Sequence, residues 1–549
     1  MSTKKLINGV EGQLTDWSQI NWNQVRKVVR NLRQRIFRAR KLGQWKQLRR
    51  LQKLLIKSRA NLLLSTRQIT QVNDGKQTAG VDKEVINAPR ERVKLVNSWE
   101  MPQAKPTRRV YIPKANGKKR PLGIPTVRDR VAQAVVKNSL EPEWEAELEE
   151  HSYGFRPGRS CHDAIEQAFL RLQNGRDTWV LDADIKGFFD NVAHESILNM
   201  IGKFPKKGLI KEWLKAGFID KGEYNPTETG TPQGGVISPL LANVGLHGLE
   251  YYVKSINPKL GIIRYADDFI VTARDRETLE KVQILIKQWL SARGLEISAE
   301  KTRVVHIKDG FNFLGFNLRQ YGGKLLIKPQ KEKVLASCKK IKETLSNMKA
   351  HTQEDVIKKL NPLIRGFANY HRGTVSKETF SYIRNRVRIH LWRWASRRHP
   401  NKGTKWVQKR YYSSFRGDNW TFMCQGTDRK GREKSYILYD ISSTPIVRHI
   451  KVKGKSSPDD PSLREYWQKR ATDYGKKYWA KGSKYEAVAK LQNWKCPVCG
   501  DNLFNGESIE THHIVPVVKG GTDDSGNLKH LHKACHKQVH SKAKLTSLK

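Results

Sequence analysis

The chain of 549 residues contains no run approaching 18 apolar residues, and acidic side chains are scarce in it. The first absence argues against a membrane-spanning helix. The opening stretch, MSTKKLINGVEGQL, has no hydrophobic centre of the kind a secretion signal requires. The expected location is therefore the cytoplasm (bacterial cytoplasm or nucleoid) or an organelle. Asp and Glu number 53 against 103 Lys and Arg, a formal charge of +50. Solubility asks for far less, so a polyanion is the expected partner and a membrane surface the weaker alternative. The excess is spread along the chain and is steep at its start, where the first 60 residues hold 16 basic side chains against 2 acidic ones. Cysteine is scarce as well, six in all. Cys161, Cys338 and Cys424 are scattered and read as buried thiols. Cys496, Cys499 and Cys535 crowd into the last 54 residues with six of the 16 histidines. In a chain expected inside the cell, that cluster suggests metal rather than disulfides.

The length is too great for one ordinary domain and suggests roughly three to five. Residues 20–64 read as basic helix, with Val25, Val28, Leu32 and Ile36, then Trp45, Leu48, Leu51 and Leu55, at helical spacing. From about 160 to 330 strands alternate with helices. Ser238 is expected to cap a helix that has Pro239 at its first position. Residues 331–398 turn helical and basic again, with a capping box at Thr352 to Asp355. Residues 400–450 are short, aromatic and strand-like, and KGKSSPDDPS (453–462) reads as a linker. No internal repeat is evident.

In GIIRYADDFIVTA (261–273), β-branched and aromatic residues flank Asp267 and Asp268, which predicts two short strands joined by a tight turn. Two adjacent carboxylates there read either as a solvated turn or as a divalent-metal site. A second strand, within WVLDADIKGFFDNV (179–192), places Val180, Asp182 and Asp184 on one face and Leu181, Ala183 and Ile185 on the other. Carboxylates from neighbouring strands can grip two magnesium ions roughly 3.5–4 Å apart, the arrangement used in nucleotidyl transfer.

YADD, DIKGFFDNV, GTPQGGVISPLLANV, KKRPLGIPTVRDR, GLEISAEKT and FNFLGFNL resemble the ordered blocks of reverse transcriptases, and in particular of the group II intron-encoded reverse transcriptases, or maturases. TAGVD and HSYGFRPGRSCHDAI belong to the same pattern, which covers about 78–320. The resemblance implies that Asp184 and Asp267 hold two Mg2+ ions with Asp268 supporting them. It implies that Phe189 lies beneath the sugar and excludes a ribose 2′-hydroxyl. Gln233 would lie against the incoming nucleotide, beside Gly234 and Gly235, and Lys118, Arg120 and Lys301 would meet the triphosphate. Residues 331–398 resemble the thumb that maturases also use to grip intron RNA. Trp392 and Trp394 cannot share one helix face, which leaves one for RNA stacking and one for the core. Residues 400–475 fall where the family carries a DNA-binding segment.

At the C-terminus, CPVCG (496–500) is followed by a His-x-x-Cys pair, giving Cys496, Cys499, His532 and Cys535 as ligands of a structural, tetrahedral Zn2+. The remaining residues resemble the HNH endonuclease motif. That resemblance implies that His512, His536 and His540 bind the catalytic divalent ion (Mg2+ or Mn2+), that His513 is the general base, and that Asn527 braces the loop. The spacing leaves open an exchange of His532 and His540 between the two sets.

The expected fold class is α+β and multidomain: a right-hand polymerase with fingers, palm and helical thumb, a DNA-binding segment, and a small zinc-bound ββα-metal HNH module. The expected division is 1–95, a basic helical extension of the fingers; 96–330, fingers and palm; 331–400, thumb or maturase domain; 401–475, DNA-binding segment; and 476–549, nuclease. The expected function is that of a group II intron-encoded protein that assists splicing, nicks target DNA and copies the intron from the nick. Its partners would be the intron RNA, double-stranded target DNA and deoxynucleoside triphosphates, with no membrane. Two rivals are a domesticated reverse transcriptase of repair or defence, and an RNA-binding splicing factor with silent active sites.

Overall fold

The computed structural model describes residues 13–113, 117, 119–427, 433–476, 478, 479 and 481–546. The chain begins with three helices, Trp22–Lys41, Trp45–Lys57 and Arg59–Arg67. Asn21 caps the first by accepting from the Gln24 amide at 3.1 Å, and Arg38, Arg40 and Lys41 crowd its last turn, where the helix dipole favours cations. Its apolar stripe, Val25, Val28, Leu32 and Ile36, is buried as the spacing predicts. Among the described residues no helix is long and apolar enough to cross a membrane.

The strands that follow are β1 (Thr107–Pro113), β2 (Lys119–Ile124), β3 (Trp179–Asp184), β4 (Phe218–Asp220), β5 (Glu223–Asn225), β6 (Gly261–Tyr265), β7 (Asp268–Ala273) and β8 (Arg303–His306). One sheet runs β2-β1-β4-β5; the other, entirely antiparallel, runs β6-β7-β3-β8. Leu181, Ala183 and Ile185 on β3 and just beyond it face a large core shared with the N-terminal helices. Val180 faces a second core with Ile263, Ile270 and Phe316. The helix Ser238–Gly245 carries Pro239 in its first turn, but its N-cap is Ile237 and Ser238 is already inside, so the expected cap is one residue out.

After the small sheet of β9 (Phe311–Phe313), β10 (Phe316–Tyr321) and β11 (Lys324–Pro329) come the helices Lys331–Ser346, Gln353–His371 and Lys377–Arg397. Thr352 caps the second of these, accepting from the Asp355 amide at 3.2 Å. The fourth sheet, β12 (Tyr412–Phe415), β13 (Asp418–Thr427) and β14 (Glu433–Ile437), shares one core with these helices, so packing runs unbroken across residue 400. Trp394 is in that core, while Trp392 is partly buried against Tyr412 and Trp420.

The stretch expected as a linker is a packed strap. Val452 and Ser457 are buried, and the Val452 amide donates to Asp163 at 2.7 Å. Arg159 donates to the Gly454 carbonyl at 2.9 Å, and Asp459 pairs with Arg33 at 2.6 Å. Its Pro, Gly and Ser content suggested flexibility, but Asp459 and Asp460 pair with Arg33 and Lys41, cations far away in sequence. The chain closes with the hairpin of β15 (Ile509–His513) and β16 (Leu528–His532) and the helix Lys533–Thr546.

Candidate active site and metal centres

The β6–β7 hairpin is closed at Tyr265 and Asp268, leaving Ala266 and Asp267 as the turn. Ala266 has φ +59°, a left-handed conformation that is costly for a residue with a Cβ. The turn is backed by Gly154, where an added Cβ would come within 2.4 Å of the Ala266 amide nitrogen. Register then places Asp184 of β3 directly opposite Asp268 of β7. Asp182 lies two residues back on the same face, with Arg303 at 3.4 Å.

Asp184, Asp267 and Asp268 are half-buried and act on one another. Burial, then the Asp267 charge and the hydrogen bond and charge of Asp184, push the Asp268 carboxyl up to about 7. Burial raises Asp267, reinforced by Asp184 and opposed by Arg120 and Lys301. Asp182 is pushed by burial up to about 6, against the pull of Arg303. Lys301 donates to Asp184 Oδ2 at 2.7 Å. Crowded, half-buried carboxylates whose anionic forms repel are the donor set that divalent cations satisfy, so the residues fit metal ions here.

Gly187, with φ +56°, turns the chain after β3 into a short helix, Phe188–Asn191. Phe188 is fully buried, while Phe189 is half-buried and meets the edge of Phe155 at 6.1 Å. Phe155 was not anticipated: it is 48% exposed and has φ +59°. Nothing in its sequence neighbourhood marks that strain. Gln233 donates to Asp190 at 3.2 Å, and Gly234, with φ +120°, lies against the Gly123 carbonyl, where a Cβ would approach to 2.7 Å. Arg120 is exposed on β2 and acts on Asp267 through space. Lys118 lies outside the described residues.

At the C-terminus the structure forms two separate groups. The ligand atoms of Cys496, Cys499, His532 and Cys535 lie within 4.8 Å of one another, and all four residues are buried. Three thiols and an imidazole in a closed site fit a thiophilic divalent ion with tetrahedral geometry. His512, His536 and His540 form the second group, also within 4.8 Å, and this one is open to solvent at His540. His536 Nδ1 meets Glu510 at 2.7 Å, an arrangement that fixes the ring with Nε2 toward the other imidazoles. His532 is therefore placed with the cysteines and His540 with the histidines. His513 points the other way, its Nε2 at 2.7 Å from Asp523, which also binds Lys484. Asp523 was missed because nothing in TDDSG separates it from Asp524. Asn527 accepts from the Val515 amide and donates to the carbonyls of Val515 and Thr522 at 2.7–3.0 Å, pinning the loop that follows β15.

Residues 112–318 match the family described as reverse transcriptase (RNA-dependent DNA polymerase), and 17–99 match the N-terminal domain of reverse transcriptase. Residues 336–412 match the group II intron maturase-specific domain, and 496–542 match HNH endonuclease. Protein YkfC of Escherichia coli (strain K12) is 33% identical over 324 residues, which are 49% of this chain and 83% of that protein. Group II intron-encoded protein LtrA of Lactococcus lactis subsp. cremoris is 31% identical over 321 residues, covering 45% of this chain and 53% of LtrA, so the match spans about half of that relative. Apo telomerase from Candida tropicalis has a TM-score of 0.32 at 14% identity, covering 41% of this chain and 55% of the telomerase. The family matches define a reverse transcriptase that carries further domains. The chain belongs to the group II intron-encoded reverse transcriptases, multifunctional proteins that join RNA-directed DNA polymerase, maturase and HNH endonuclease domains.

Proposed function

We propose that the two sites act in sequence: the HNH module nicks double-stranded target DNA, and the polymerase extends the new 3′-hydroxyl along intron RNA that the maturase domain has helped to splice. The observation that supports this reading is that register sets Asp184 opposite Asp268, next to Asp267 in the turn, while His512, His536 and His540 converge elsewhere in the same strongly basic chain. A silent splicing factor or a domesticated polymerase would have no use for both.

In this reading the sheet β6-β7-β3-β8 is the palm of a right hand, the helices from 331 to 397 are its thumb, and the C-terminal hairpin and helix are a ββα-metal module. We keep the division 1–95, 96–330, 331–400, 401–475 and 476–549 as a reading by role, with the proposed DNA-binding segment 401–475 packed in part on the thumb core. Asp184 and Asp267 would hold two Mg2+ ions beside Asp268, which when bound supply Lewis acidity at the primer oxygen and charge at the leaving phosphate. Lys301 keeps Asp184 oriented until substrate arrives and would then, with Arg120, meet the triphosphate, a role the family resemblance also gives to Lys118. Phe189, held by Phe155 and Phe188, fills the space a 2′-hydroxyl would need. Gln233 orients the nucleotide against a backbone that Gly234 keeps bare.

In the nuclease, Asp523 holds the Nε2 proton of His513, leaving Nδ1 to take a proton from water. His512, His536 and His540 would hold Mg2+ or Mn2+ next to it. Cys496, Cys499, His532 and Cys535 would hold Zn2+, whose binding energy becomes folding energy for a module too small to build a core alone. Primer extension by the purified protein on an RNA template, with and without its intron RNA, tests the reading. Extension that rises with the intron RNA present is expected; no deoxynucleotide incorporation on any primed RNA would refute it.

A further inference from the structure

The Cys496/Cys499/His532/Cys535 group is shared between its own module and the N-terminal helices: one buried core contains the three cysteines together with Trp494, Leu503 and Leu531 of the module and Trp22, Val25 and Leu63 of the helices. Arg67, the last residue of the helix Arg59–Arg67, is 2% exposed and reaches into this contact. Its Nη2 lies 3.0 Å from Cys535 Sγ and 3.4 Å from Glu507, and its guanidinium covers the Trp22 ring at 4.6 Å. Its Nε and Nη1 are buried without a hydrogen-bond partner. Glu507 is shared with Arg26, whose own contact is closer at 2.5 Å. Gln538, three residues beyond Cys535, donates to the carbonyls of Ser18 and Ile20 at 2.6 and 3.0 Å.

A guanidinium in such a place is costly unless an anion faces it. A neutral thiol is a weak acceptor, whereas a thiolate is a strong one. A divalent ion bound by three thiolates and a neutral imidazole leaves one net negative charge on the centre. Arg67 is aimed at the sulfur that would carry part of it.

We propose that this four-residue centre is the fastening between the nuclease and the polymerase's N-terminal helices, with Arg67 donating to the Cys535 sulfur so that metal occupancy and docking are coupled. The proposal rests on the zinc reading above and adds a partner outside the module. Outer partners of metal ligands commonly tune affinity by about 10–100-fold. In the full-length protein, Arg67→Met should weaken zinc binding by about that factor in competition with a chromogenic chelator. Arg67→Lys, which keeps the charge without the planar fork, should fall between Met and wild type. Chelation of wild-type protein followed by hydrogen exchange gives a readout that needs no variant to fold. Amides of residues 16–26 should lose protection together with those of 496–542. Zinc affinity equal to wild type in both variants, or loss of protection confined to 496–542, overturns the coupling. A wild-type chain that takes up no zinc overturns the zinc reading itself, and the coupling with it.

Discussion

The polymerase carboxylates and the Cys3His centre are built in opposite ways. Asp184 and Asp268 are brought together by strand register in a sheet packed on both faces, and the fold forces them into mutual repulsion. The strain in the Ala266 turn is held by the same scaffold. The cysteines come from a loop and from the start of a helix and are sealed inside a core that includes other domains' helices. On the proposed reading, the scaffold of the first site would hold the ligands and leave them free to do chemistry, whereas in the second the ligands would help to hold the scaffold. The trihistidine group lies between these extremes, placed by a hairpin and a helix but open to solvent.

The contrast is sharpest in substitutions. Asp267→Asn should leave the fold intact and reduce extension about a thousandfold or more, because several kcal/mol of transition-state charge stabilisation are lost. Near wild-type extension would remove Asp267 from the site. His513→Ala should lower nicking by about 10²–10⁴-fold while zinc content stays unchanged, since the ring touches neither metal group. Cys496→Ser should instead release zinc and lose protection across 496–542, measured by elemental analysis and hydrogen exchange; if the two variants lose zinc alike, the separation of the two groups fails. Phe189→Ala should relax sugar discrimination by roughly tenfold or more, read as the ratio of ribonucleotide to deoxyribonucleotide incorporation, and an unchanged ratio would return Phe189 to a packing role.

The smallest effect belongs to the strap. Burial would raise the Asp163 carboxyl, but His449, the Val452 amide and Arg470 hold it down at about 2. A carboxyl depressed below its unfolded value near 3.9 contributes stability above that value and loses it as pH falls toward 2. The contribution is about 2 kcal/mol. Protease sensitivity of residues 447–470 should rise over that window, and Asp163→Asn should show the rise already at pH 7. An acid-insensitive strap would mean that packing, not Asp163, holds it.

Local patterns made the active elements legible. Alternation in VLDADI was enough to place one strand and the shared face of Asp182 and Asp184, and the β-branched and aromatic residues flanking YADD placed the hairpin, whose strands are buried on both faces. Cys-x-x-Cys and His-x-x-Cys spacing marked four residues that do converge, and Thr352 caps its helix as its sequence suggests. What escaped were pairings between distant positions. Asp459 finds Arg33, 426 residues away, and so a stretch with linker composition becomes a packed strap. Arg67 looks like any arginine in a basic helix until Cys535 is set beside it. Phe155 has a left-handed backbone and an edge contact with Phe189 that its sequence neighbourhood does not mark.

The central claim is that two independent centres act in order, and one assay separates them. Incorporation of labelled deoxynucleotide is measured on an intact target duplex and on the same duplex already nicked, with the intron RNA bound to wild type, His513→Ala or Asp267→Asn. The account predicts that His513→Ala incorporates only on the nicked duplex, whereas Asp267→Asn incorporates on neither and still nicks the intact one. Incorporation by His513→Ala on the intact duplex, or its failure on the nicked one, would contradict the account.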